Sequence, residues 1–494
     1  MNDQEKSDEF VVPEKLPNKG RAAARSAEEV EGRRSAKGNS TKATRGRAQD
    51  RASLQQHLSR VREVATRNRE LRFTTLWHHV YNIDHLRAVF FQLRKSAAPG
   101  VDGQTWAEYA ADLEVNLQDL ADRLRRGAYR AKPVRRVYIP KPDGRQRPLG
   151  IPILEDKLVQ GLTKAVLEQI YEVDFLGFSY GCRPGRSPHR ALDALVVGIE
   201  RRKVNWVLDA DIRGFFDAID HECLLKLVEH RIGDQRVLRH IKKWLKAGVL
   251  EDGKKAQSEQ GTPQGGSISP LLANVYLHYA LDLWVQEWRS KQAHGHVIAV
   301  RYVDDFVLGF EHREDAIRCT AALKERLAEF HLELHPDKTR LIEFGRFAAD
   351  QRQRRGEGKP ETFDFLGFTH YCGKTSKGRF QVSRKTRRKK TVAKLADLKE
   401  QIRRRMHDPV PKTGAWLTQV LAGHYRYYGV PGNSAAMALF RDRVTRLWRR
   451  ALSRRSQKGY VNWERMQRLA RKWLPVPRIY HPYPNRRFDV IHPR

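Results

Sequence analysis

The chain has 494 residues, length for two to four domains, and carries 94 Lys and Arg against 58 Asp and Glu, a net charge of +36 with a pI near 10.3. Such an excess is far beyond what solubility needs and implies a polyanionic partner whose binding weakens steeply with salt. No apolar run approaches the roughly 18 residues of a membrane span and no signal peptide is expected, while Cys182, Cys223, Cys319 and Cys372 are scattered without a CxxC pair, which points to a reducing, cytoplasmic setting and away from a structural zinc site.

In chain order, residues 1–50 hold one aromatic, Phe10, among Glu, Lys, Arg, Ser and Ala. That is too little apolar surface to offset ordering entropy, so a disordered charged tail is predicted over 1–60, with order from near Leu71. Thr105 and Glu108 form a capping box for a helix Thr105–Arg126, whose Trp106, Tyr109, Leu113, Leu117, Leu120 and Leu124 share one face and which Gly127 ends. A second helix fits Glu155–Tyr171, with Leu158, Leu162, Val166 and Ile170 facing a core.

The stretch beginning at Trp206 reads as an apolar strand that delivers Asp211. Gly261–Pro270 is a glycine-rich turn leading into the apolar run Leu271–Leu281. Val297–Val303 and Phe306–Phe310 read as short buried strands of a hairpin with Asp304 and Asp305 at its turn, followed by a helix Arg313–Phe330. Adjacent acids on a rigid turn stay ionised together only at a cost unless a cation lies between them. With Asp211 opposite the hairpin, three carboxylates on two strands can hold two hard ions such as Mg²⁺, about 3.5–4 Å apart, which stabilise the attacking and leaving oxygens of an in-line displacement.

After about residue 375 the character changes. Arg384–Met406 holds eleven Lys and Arg in its first 22 residues, with Val392, Leu395, Leu398 and Ile402 at helical spacing. Leu421–Val430 interleaves aromatics with Arg, and Val444, Leu447, Trp448, Ala451 and Leu452 trace a further stripe flanked by Arg446, Arg449, Arg450, Arg454 and Arg455. Apolar faces inward and basic faces on a phosphate backbone suit this pattern.

On these blocks the chain resembles the reverse transcriptases, specifically the reverse transcriptase–maturases encoded by group II introns. The matching blocks occur in family order: Lys95–Gly103 resembles the N-terminal extension motif, Tyr138–Pro152 a fingers block, Phe178–Arg186 a further block, and Phe363–Phe368 the primer grip. The resemblance implies an α+β right-hand polymerase, with fingers and palm over 61–375, an all-α thumb or maturase domain over 376–455 and a basic C-terminal segment over 456–494. It implies that Asp211, Asp304 and Asp305 are the catalytic carboxylates for two Mg²⁺ ions and that Phe216 is a steric gate against the ribose 2′-hydroxyl. It further implies that Lys141 and Arg147 grip the triphosphate, that Gln264 and Tyr302 meet the incoming nucleotide, that Lys338 assists the leaving pyrophosphate, and that Phe365, Leu366 and Gly367 form the primer grip.

The implied activity is RNA-directed DNA polymerisation, with dNTPs, an RNA template and a DNA primer or target as partners. Binding of a parent group II intron RNA would assist splicing and mobility. Two other readings stand beside it: a stand-alone enzyme recruited to defence or a CRISPR locus, and a splicing-only RNA-binding maturase. The Tyr302-Val-Asp-Asp305 block weighs against the last. No paired Cys/His cluster of the HNH nuclease type follows the helical segment, so no DNA endonuclease activity is expected.

Overall fold

The computed structural model describes residues 37–140, 146–251, 254–256, 261, 265–455 and 459–491. The expectation for residues 1–36 falls outside them, as do Lys141 and Gln264. Arg47–Arg494 form one compact unit, which holds the sheets found among the described residues.

Order does not wait for Leu71. Lys37–Arg67 is helical, and Leu54, Leu58, Val61 and Ala65 are buried. These four recur at i, i+4, i+7 and i+11, a one-faced stripe that the polar average of residues 1–60 hides. The capping box at Thr105 and Glu108 forms as the sequence predicts, and Gly127 closes the helical run in the left-handed region. Between them the helix breaks at Asp112 (φ −118°, ψ 42°), giving Trp106–Ala111 and Leu113–Arg126. The Asn116 side-chain amide donates to the Tyr109 carbonyl at 3.1 Å, satisfying an acceptor the break releases. The helix predicted over Glu155–Tyr171 runs Leu154–Asp174.

Among the described residues three sheets organise the chain. Strands β1 (Val134–Pro140), β2 (Gln146–Ile151), β4 (Val249–Glu251) and β5 (Lys254–Ala256) form one in the order β2-β1-β4-β5. Strands β3 (Trp206–Asp211), β6 (Val297–Tyr302), β7 (Asp305–Phe310) and β8 (Arg340–Glu343) form the second, order β6-β7-β3-β8, antiparallel throughout. The third is β11-β10-β9, from Phe363–Phe365 (β9), Phe368–Lys374 (β10) and Phe380–Thr386 (β11).

The second sheet is buried on both faces, which is why its strands read as near-continuous apolar runs. Leu208, Ala210, Phe306, Leu308 and Phe310 face one core with Leu271–Leu281; Val207, Val300, Val307 and Ile342 face another, shared with Phe363, Phe365 and Phe368. A third core lies among the C-terminal helices, where Leu398, Leu421, Tyr425, Val444 and Trp448 meet. The basic helix predicted from Arg384 begins instead at Arg388. Arg384 lies on β11, buried, with its guanidinium 3.6 Å from the buried Asp193 carboxylate. Among the described residues no helix is long and apolar enough to cross a membrane.

Several buried histidines set an acid limit. Burial holds His240 and His278 down at about 4 and His370 at about 3. Their neutral forms therefore contribute stability above pH 6.5 that is lost as pH falls towards 4. At about pH 5 the loss should be roughly 2 kcal/mol per ring, read as a lower denaturant midpoint than at neutral pH; an unchanged midpoint would contradict this burial.

Candidate active site

The acids emerge where one face of the second sheet runs out of apolar residues. Side chains alternate along a strand, so Val207, Asp209 and Asp211 share a face. In the antiparallel register Asp209 lies opposite Val307 and Asp211 opposite Asp305, while Tyr302 faces Asp305 from the other side. Asp304 stands in the β6–β7 connection. The sequence predicts the turn at Asp304 and Asp305; the structure puts it at Val303 and Asp304, with Asp305 already the first residue of β7. Val303 adopts φ +59°, a left-handed conformation that a β-branched side chain rarely takes.

Charge is concentrated here. The Asp305 side chain is exposed, yet the protein mass around it displaces water, and Asp304, Asp211 and Asp209 add repulsion. Together these push it up to about 7. Asp209, which sequence reasoning did not single out, is raised to about 6, first by burial and then by Asp364 and Asp211, against the pull of Arg340 at 3.5 Å. The Lys338 ammonium pairs directly with the Asp211 carboxylate. It gets there because the His335 amide donates to the Asp211 carbonyl at 2.8 Å and the chain then turns to β8.

Among the described residues no three His, Cys, Asp or Glu side chains are gathered tightly enough to enclose an ion as they stand. The donor set nonetheless fits a hard divalent cation. Asp211, Asp304 and Asp305 offer oxygens only, and Asp305 stays raised by burial and by its acidic neighbours even with Lys338 nearby. Lys338 already supplies one positive charge to the same group.

The other predicted residues fall around this centre unevenly. Phe216 lies in the short helix Phe215–Ala218 that follows β3, half-buried, its ring 5.4 Å from that of Phe215 in an edge contact. Gly261 docks there: its amide donates to the Ile219 carbonyl at 2.8 Å, and a Cβ on it would come 2.9 Å from the Phe216 carbonyl. On the far side of the undescribed Gln264, Gly265 (φ +123°) packs against β2, where a Cβ would lie 2.3 Å from the Gly150 carbonyl. Gly261 is thus seated against the Phe216 helix and Gly265 against β2. Arg147 occupies β2 opposite Ile139.

In the β9–β10 turn Leu366 and Gly367 both have positive φ, and the Tyr427 hydroxyl donates to the Leu366 carbonyl at 2.8 Å. Phe365 is buried in the core, so what this turn presents outward is Leu366 and Gly367.

The segment Phe178–Arg186 braces the acidic turn. A Cβ on Gly181 would sit 2.4 Å from the Val303 amide nitrogen, a backbone clash with no soft way out. Gly181→Ala is therefore expected to displace the turn and lower any activity that depends on it by about a hundredfold, while melting stays close to wild type; an unaltered rate would show that the turn tolerates the shift. Sequence reasoning also passed over Arg301 and Asp282, both fully buried. A charge inside the apolar run Val297–Val303 was the available signal.

The family model for reverse transcriptase (RNA-dependent DNA polymerase) matches residues 139–370. Protein YkfC of Escherichia coli K12 is 37% identical over 301 residues, covering 52% of this chain and 78% of YkfC. Group II intron-encoded protein LtrA of Lactococcus lactis is 37% identical over 235 residues, 47% of this chain and 39% of LtrA. Nuclear intron maturase 3, mitochondrial, of Arabidopsis thaliana is 28% identical over 214 residues, 38% of this chain and 29% of that protein.

Proposed function

Because the chain belongs to the reverse transcriptase family, in its group II intron-encoded branch, we propose that it extends a DNA primer on an RNA template from dNTPs. The observation that carries this is the register of Asp211 against Asp305 with Asp304 beside them in the turn. Asp211, Asp304 and Asp305 would hold divalent magnesium, which when bound supplies charge stabilisation to the primer oxygen and the phosphates. The remaining work is positioning, with no covalent protein intermediate.

In this reading β3 and the β6–β7 hairpin form the floor of the palm and β1–β2 the fingers. Lys141 and Arg147 bind the triphosphate, Gln264 and Tyr302 meet the incoming nucleotide, and Phe216 screens its sugar. Lys338, paired with Asp211 in this structure, would meet the departing pyrophosphate. Leu366 and Gly367 hold the primer end, and the basic helices Arg388–Arg404 and Ser434–Ser453 form a thumb that tracks the duplex backbone. The same basic surfaces would bind a structured intron RNA and assist its splicing and mobility, a role supported by the charge of +36 and by relatives named as intron-encoded protein and maturase.

The test is primer extension: purified chain, a DNA primer annealed to RNA, dNTPs and Mg²⁺. Full-length complementary DNA supports the reading. No extension, with the template–primer demonstrably bound, would overturn it.

A further inference from the structure

Arg301 is the penultimate residue of β6, one step before Tyr302, and only 1% of its surface is exposed. Its five N–H groups are all used. Nε and one terminal nitrogen grip the two Asp282 oxygens at 2.6 and 2.5 Å; that nitrogen also donates to the Ser179 hydroxyl at 2.7 Å. The other donates to the Asn274 side-chain oxygen at 3.0 Å and to the Val303 carbonyl at 3.0 Å. Ser179, Asn274 and Asp282 are themselves fully buried. Three stretches of chain therefore converge on one guanidinium: the 178–186 segment, the helix Ser269–Leu277 with the single π-helical turn His278–Asp282 that continues it, and the acidic turn.

A buried ion pair is a poor way to gain stability, since well-packed apolar residues of similar volume usually do as well. What a planar five-donor fork supplies is fixed direction. Here one of those directions ends on Val303, whose left-handed backbone costs on the order of 1–3 kcal/mol and persists only when its surroundings over-determine it. The bracing is continuous. The Arg301 amide donates to the Phe178 carbonyl at 2.9 Å, the Tyr180 amide to the Arg301 carbonyl at 2.8 Å, and the Asn274 side-chain amide to the Gly181 carbonyl at 2.8 Å. The π turn carries Asp282 into this interior, and such turns recur at functional sites.

We propose that Arg301, held by Asp282, is a positioning residue that locks the strained Val303 turn so that Asp304 and Asp305 face Asp211. This rests on the polymerase reading above, and its test separates the two. Arg301→Lys keeps a charge for Asp282 but cannot reach Val303, Asn274 and Ser179 together. Hydrogen exchange at Tyr302–Asp305, melting temperature, template–primer affinity, and kcat and KM for dNTP are compared with wild type and with the double variant Arg301→Lys/Val303→Gly.

Faster exchange centred on the turn is expected, with some loss of melting temperature from the unpaired buried acceptors, primer affinity nearly unchanged and kcat down about a hundredfold. Glycine takes φ +59° without strain, so the double variant should recover part of kcat. Unchanged exchange in Arg301→Lys, a wild-type rate, or a loss that follows melting and is not recovered by Val303→Gly would overturn the proposal. A wild-type protein that makes no DNA would instead sink the polymerase reading, and the exchange data would still decide what Arg301 does to the turn.

Discussion

Asp305→Asn is expected to abolish DNA synthesis while leaving template–primer binding near wild type and making the metal-free protein more stable. The rate loss follows from removing a carboxylate that would hold the divalent ion; the basic surfaces proposed to bind the duplex are untouched. The stability gain follows from the raised carboxyl. Its folded value of about 7 lies above the unfolded value, so without metal the protonated form is favoured and stability falls as pH rises from about 4 through 7. Asparagine removes that penalty. In chelator at about pH 8 the variant should melt higher, by roughly 1 kcal/mol after allowance for solvent screening, on the order of 2 °C in a chain this long. Near pH 4 the difference should vanish, and Mg²⁺ should reverse it at neutral pH. Equal melting of the two proteins at every pH, or measurable synthesis by the variant, would contradict the placement of Asp305.

Phe216→Ala should change which sugar is accepted. The ring is half-buried, pinned by Phe215 on one side and by the docking of Gly261 on its backbone. A ring held in one position can reject an added hydroxyl by collision, which a mobile ring cannot. The expected outcome is a rise of about a hundredfold in the ratio of ribonucleotide to deoxyribonucleotide incorporation, measured as kcat/KM for each with one template. If the ring merely packs the core, both rates fall together and the ratio stays put.

The strands, the acids and their opposition were legible because short apolar runs bounded by turn residues suit buried strands, and a carboxylate at the end of such a run has to emerge where the sheet meets water. Asp211 and Asp305 meet across β3 and β7 as placed, and the Thr105–Glu108 cap and Gly127 stop were written in local chemistry. What was not legible depends on contacts distant in sequence. The turn slid by one residue, to Val303, because bracing by Gly181 and Arg301 makes a strained valine tolerable there; local propensity would never choose it. Arg384 joined β11 rather than the basic helix because Asp193, far upstream, offers it a buried partner. The helix Lys37–Arg67 was lost in an average: four apolar residues in a polar stretch look like a tail until their spacing is counted. Lys338 could be assigned from sequence only by resemblance, and its pairing with Asp211 comes from the His335 tether.

Asp211, Asp304 and Asp305 are proposed to act as one metal-dependent polymerising centre. The most direct test is Mn²⁺ binding followed by electron paramagnetic resonance, with the full chain bound to template–primer and a non-incorporable nucleotide. Roughly two ions per wild-type chain are expected, with at least one lost or greatly weakened in Asp305→Asn. Equal number and affinity of ions in both proteins would contradict it.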